Sequence, residues 1–180
     1  MKNVNLYITA LAVLILFWGC DKGPELTPIS QEGKNTFSCK VNGKVWIPDG
    51  TGDIFVNIKP IYGVYYYNSL IDTIYVNIET NSSSGEQVQL FLRTFDVGVH
   101  MLDDDTQVTG SSFYPKNYGF YSFKHKNYIT SKEHTGSITI SKSNISSGIL
   151  SGTFEFTATS ATGESVHITE GRFDLNHKTL

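Results

Sequence analysis

Apolar residues recur at every second position through most of this chain, and that period admits one kind of regular structure. Phe37, Cys39 and Val41 alternate with polar neighbours, as do Ile54, Val56 and Ile58, and then Ile74, Val76 and Ile78. Towards the end the same pattern returns in Ile138 and Ile140, in Phe154, Phe156 and Ala158, in Val166 and Ile168, and in Phe173 and Leu175. Side chains two apart share one face of a strand, so each run predicts a strand with one buried face. Beyond residue 18 no apolar 3.6-residue period persists for ten residues, and no helix is predicted. Turn residues separate the runs. Asn42-Gly43 accepts the positive φ values of a type I′ turn and predicts a hairpin, and Pro48 and Pro60 stop the strands before them. The Asn81–Gly85 loop joins Thr73–Thr80 to Gln87–Phe95 as an antiparallel pair. The closing runs Gly136–Lys142, Leu150–Thr159, Ser165–Thr169 and Arg172–Leu175, the last two split by a loop at Glu170-Gly171, predict a C-terminal meander. The expected architecture is a single all-β antiparallel domain over residues 36–180. About nine to eleven strands form either a two-sheet sandwich or a partly closed barrel.

The start of the chain is of another kind. Lys2 precedes an apolar run from Leu6 to Trp18, which ends at Gly19-Cys20 before the polar Asp21-Lys22-Gly23-Pro24. As a helix that run reaches only about 20 Å, against about 30 Å for a bilayer core. A charged start, a short apolar run and a small residue before the cut mark residues 1–19 as an export signal. Residues 20–35 carry Gly23, Pro24, Pro28 and Gly33 without an apolar period, and are expected to be a flexible tether reaching at most about 50 Å.

Composition excludes several roles. Residues 20–180 hold 13 basic and 17 acidic side chains, with the bases dispersed, so no nucleic-acid partner is expected. The five histidines show no short ligand spacing and no cysteine pair, so neither a metal nor a cofactor is expected. Asp103-Asp104-Asp105 lacks the glycine and glutamate of a calcium loop and reads as an acidic turn. No Gly-x-Ser-x-Gly motif occurs, and Cys39 lies on an inward strand face as a small buried hydrophobe, so no catalytic motif is present.

Two resemblances add to this reading. Gly19-Cys20 at the end of the apolar run resembles a bacterial lipoprotein signal, which implies cleavage before Cys20 and lipidation of that residue, palmitate included. Gln31–Pro48, Ser151-Gly-Thr-Phe-Glu-Phe156, Gly163 and Ile168-Thr-Glu-Gly-Arg-Phe173 resemble the small β-rich lipoproteins of Bacteroidetes-type bacteria. The implied protein is exported to the cell envelope and held in the outer membrane through Cys20, and the resemblance carries over no catalytic residue. Asp72-Thr73-Ile74 also matches the pattern on which bacteria of that group attach O-glycans, with Thr73 as the acceptor.

The expected role is a non-catalytic surface that binds a glycan or an envelope protein. The alternatives are a carrier with an apolar ligand in a barrel cavity, and a hydrolase of envelope or environmental glycans. Aromatic rings stack on sugars and concentrate at binding hot spots, so exposed tyrosines are the candidates. Tyr114 precedes Pro115 in a turn, and Tyr66 faces away from Tyr65 and Tyr67. In a strand over 118–124, Tyr118 and Tyr121 lie on opposite faces, so one of them should point outward.

The anchor yields the first prediction. Lipidation holds a protein stably in a membrane once two or more chains are present. Fractionation should therefore find the wild-type protein with membranes and labelled by palmitate, and Cys20→Ser should release it unlabelled or stall its processing.

Overall fold

The computed structural model describes residues 23–52, 57–68, 73–106 and 115–180. The export signal, Cys20, Ile54, Val56 and Tyr114 lie outside the described residues. The strands in chain order are β1 (Thr36–Val41), β2 (Lys44–Trp46), β3 (Thr51–Gly52), β4 (Asn57–Ile58), β5 (Ile61–Tyr62), β6 (Tyr65–Asn68) and β7 (Thr73–Asn81). They continue as β8 (Gln87–Leu92), β9 (Gly98–Met101), β10 (Tyr118–Phe123), β11 (Lys126–Ile129), β12 (Gly136–Asn144), β13 (Ile149–Ser160) and β14 (Ser165–Asn176). The fold is all-β and antiparallel, with no helix among the described residues.

Twelve of these strands form one sheet, and β3 and β4 pair separately. The sheet branches at β13. One edge of β13 bonds β14, which carries β1 and then β2. The other edge bonds β12 from Ile149 to Phe156 and then β11 at Thr159 and Ser160. Beyond β12 lies β9, and beyond β11 lie β10, β8 and β7, whose outer edge is shared by β5 and β6. Both branches turn one face to a common core in which Phe37, Trp46, Phe154 and Phe173 pack with Val76, Ile78, Leu90 and Leu92. This single curled sheet resolves the choice between sandwich and barrel: its two branches share a core, and it closes into no barrel.

Phe156 occupies the fork. A Cβ on Gly136 would stand 2.3 Å from the Phe156 Cβ, and one on Gly119 would stand 2.7 Å from its ring. Glycine at both positions therefore lets the backbones of β12 and β10 close on that side chain, where any larger residue would force them apart.

Most predicted strands are present, including the Asn42-Gly43 hairpin, where φ is 48° and 80°. Two expectations are corrected. The loop predicted at Glu170-Gly171 is a β-bulge inside one twelve-residue strand. Val166 and Ile168 face the core before it and Phe173 and Leu175 after it, so the inward positions change from even to odd, and one inserted residue produces that change. Glu170 takes it up with φ of 51°. The meander thus has three long strands, β12, β13 and β14.

The second correction concerns the tether, whose latter half is docked on the domain. Asp174 is buried on β14, and its carboxylate accepts the backbone N–H groups of Glu32, Gly33 and Lys34 at 3.1, 2.8 and 3.2 Å and the Ser151 hydroxyl at 2.7 Å. The Thr27 N–H donates to Ser38 Oγ, and Arg172 donates to the Thr27 carbonyl. A buried carboxylate needs such donors, and a segment without apolar period supplies them from its backbone. Burial by itself would raise the Asp174 pKa, but the bonds from Ser151 and from Gly33 and Lys34 outweigh it, and the pKa lies below the ordinary 3.8.

Two predictions follow from these contacts. Phe154→Ala and Phe156→Ala each remove a buried ring and should cost about 3–5 kcal/mol in urea unfolding, whereas Glu155→Ala, exposed between them, should cost under about 0.5. Because the Asp174 pKa is depressed on folding, its contribution is present above the unfolded value and is lost as pH falls through the folded one. Asp174→Asn should therefore cost about 1–3 kcal/mol near pH 7 and lessen the loss of stability below about pH 4, as read from thermal melts across pH.

Candidate binding surface

The outer face of the β5–β11 branch is built from strand positions that alternate with the core. In β7, Val76 and Ile78 point inward, which turns Tyr75, Asn77, Glu79 and Asn81 outward. In β8, Val88, Leu90 and Leu92 point inward and Gln87, Gln89 and Phe91 outward. The register sets these side chains in cross-strand rows. One row runs Tyr62, Glu79, Gln89, Phe120, Ile129 across five strands. On one side of it lies a polar row of Asn81, Gln87, Ser122 and Asn127. On the other lie Asn77, Phe91 and Tyr118, and then Tyr66 opposite Tyr75.

The face therefore divides into a polar and an aromatic part. At the centre of the polar part, Gln89 Nε2 donates to Asn77 Oδ1 at 2.9 Å, and Asn77 Nδ2 donates to Glu79 Oε1 at 2.9 Å. All three side chains remain partly accessible. The polar row ends in an open groove of about 380 Å³ between the β7–β8 and β10–β11 loops, lined by Ser84, Gly85, Ser122, Lys124, His125 and Asn127. In the aromatic part, Tyr75, Phe91, Tyr118 and Phe120 form a second apolar cluster with Ile129. The Phe91 and Tyr118 rings stack at 5.3 Å, and burial, with the nearby Glu79 charge, pushes the Tyr118 hydroxyl up to about 12.

The predicted tyrosines fare differently. Tyr66 is 61% exposed on this face, as expected, but Tyr67 is exposed as well, so the strand does not bury both of its neighbours. Tyr118 and Tyr121 do alternate, yet both are buried, which corrects their candidacy: the sheet packs on both faces at β10. Tyr118 belongs to the outer cluster. Tyr121 reaches the core and donates its hydroxyl to Glu86 Oε1 at 2.7 Å. The residues that sequence reasoning missed are Asn77, Glu79 and Gln89. Their signal was the outward half of the same alternation, which carries amides, a carboxylate and rings where Thr and Lys would serve for solubility alone.

Elsewhere the chemistry is structural. Cys39 is fully buried, and burial raises its thiol pKa far above the ordinary value, which removes it as a nucleophile. Among the described residues no group of three His, Cys, Asp or Glu side chains could hold a metal ion. The acidic turn is tied to lysines, Asp104 to Lys116 and Asp105 to Lys132, each at 3.6 Å. Thr73 opens β7 opposite Asn68. No described helix is long and apolar enough to cross a membrane.

No curated protein and no solved structure matches the chain. The family described as a domain of unknown function, DUF6252, matches residues 64–174, which run from the turn before β6 to the buried Asp174 and take in the polar cluster and the whole of the fork at β13. That span is more than half of the sequence, and the chain belongs to the DUF6252 family.

Proposed function

We propose that this protein is an exported lipoprotein, held in the cell envelope through lipidated Cys20, whose β-domain binds glycans without catalysing their breakdown. The observation that carries the glycan reading is the Gln89–Asn77–Glu79 chain of hydrogen bonds beside the Tyr62 ring. Amide and carboxylate oxygens accept sugar hydroxyls, amide N–H groups donate to them, and an adjacent ring offers an apolar face for stacking. The three polar side chains already hold one another, so little rotamer freedom is lost when a ligand binds. The groove at the end of the polar row gives a chain of sugar units room to continue.

The other two readings find less support. An apolar carrier needs an interior, and the sheet closes into no barrel. A hydrolase needs two carboxylates facing one substrate. Glu155 and Glu170 do line one groove of 390 Å³, but both are exposed and Glu170 pairs with Lys40.

Glycan-array binding tests the proposal, with a fragment that begins at Pro24 so that the docked segment is kept. Glu79→Gln and Tyr62→Ala should each weaken binding about tenfold, or about 1.4 kcal/mol, with an unchanged melting temperature. Absence of binding to any glycan, or binding indifferent to both variants, would refute it.

A further inference from the structure

Among the described residues the sheet ends at β9, whose outer edge bonds no further strand. Among these residues strand β9 pairs with β12 alone, Ser137 opposite Met101 and Thr139 opposite Val99. The Leu102 N–H donates to the Gly136 carbonyl at 2.9 Å, which fixes the phase of the ladder. Antiparallel pairs alternate between bonded and non-bonded, so Gly98 and His100 direct their backbone groups to β12, and Val99 and Met101 direct theirs away from it. Asn117 Nδ2 reaches the Met101 carbonyl at 3.3 Å, and the backbone groups of Val99 meet no partner among the described residues.

The side chains of this edge are exposed. Val97, Val99 and Met101 are 65%, 65% and 49% exposed, and they follow one another at every second position. Open edges are ordinarily blunted by lysine, proline or an inward charge. None occurs from Val97 to Met101. The opposite end of the sheet differs, since β2 is three residues long, begins with Lys44 and is soon followed by Pro48.

We infer that β9 is a self-association edge, and that its occupant is β9 of a second copy of this chain, added antiparallel about a two-fold axis at Val99. The sequence of the edge reads the same in both directions in chemical terms. About Val99, Val97 of one copy lies opposite Met101 of the other, and Gly98 opposite His100. Each apolar side chain thus meets an apolar one, the bulky imidazole meets a glycine, and no charge meets its like. Val99 has its N–H and C=O directed outward, so a pair centred on it exchanges both bonds. Two-fold pairing is closed, so it ends the sheet at this edge. Any extended peptide could bond to Val99, but a second copy matches the whole stripe to itself. An interface of one short strand is small, which places the dimer among weak, transient associations.

The test uses the full chain in detergent, followed by sedimentation over a concentration series up to about 1 mM. Wild type should shift towards dimer as concentration rises. Val99→Lys, which sets two ammonium groups against each other at the axis, should weaken association at least about tenfold, and Val99→Ile should preserve it. In parallel, Val99→Cys should give a covalent dimer with a short bis-maleimide. Thr162→Cys, exposed on the β13–β14 turn, should not, with the wild-type chain showing any linkage through Cys20 or Cys39. The inference is overturned if wild type stays monomeric throughout, if Val99→Lys associates like wild type, or if positions 99 and 162 cross-link alike.

Discussion

Strand β13 is bonded on both edges, and the change of partner on one of them shapes everything else. From Ile149 to Phe156 its edge belongs to β12, and three residues later it belongs to β11. Two strands that leave the same edge in succession must diverge, and the sheet curls so that both branches cover the same apolar side chains. The fork depends on Phe156, whose ring fills the space beside Gly119 and whose Cβ and backbone stand against Gly136. A small shift there would be felt in both branches, because β10 leads to the polar cluster and β12 leads to the open edge at β9.

The outer faces of the branches are finished in different ways. On the β14 side the chain covers itself: residues 27–34 lie against β1 and β14, and the Asp174 carboxylate gathers three of their amide groups. On the β7 side the outward residues include a partly accessible hydrogen-bonded amide and carboxylate cluster next to rings. The docked segment thereby closes one face, while the polar cluster on the other stays partly accessible.

How much of this was legible from residues alone depends on what each residue must satisfy. The strands were readable because burial imposes a period of two, and the first hairpin because Asn42-Gly43 permits few other conformations. The bulge at Glu170 was present in the sequence as a change of parity between Ile168 and Phe173, but short turns carry the same polar and glycine residues, and only the pairing with β13 distinguishes them. Docking of the tether was invisible, since it rests on backbone N–H groups that nearly every residue possesses, and on the burial of Asp174 between β1 and β13. Tyr118 and Tyr121 misled for a related reason. Alternation says that two residues face opposite ways, and it does not say that one of those ways is solvent.

The partner of β1 is β14, so the earliest strand and the latest are neighbours in space. During synthesis β1 and β2 can form their local hairpin at once, but β1 does not meet its other partner until about 130 further residues have emerged. Closing so long a loop is slow, and the hairpin's free edge and the Phe37 and Trp46 rings stay uncovered in the meantime. A chain with this topology completes its sheet late, and until β14 arrives its first strands depend on whatever shields them.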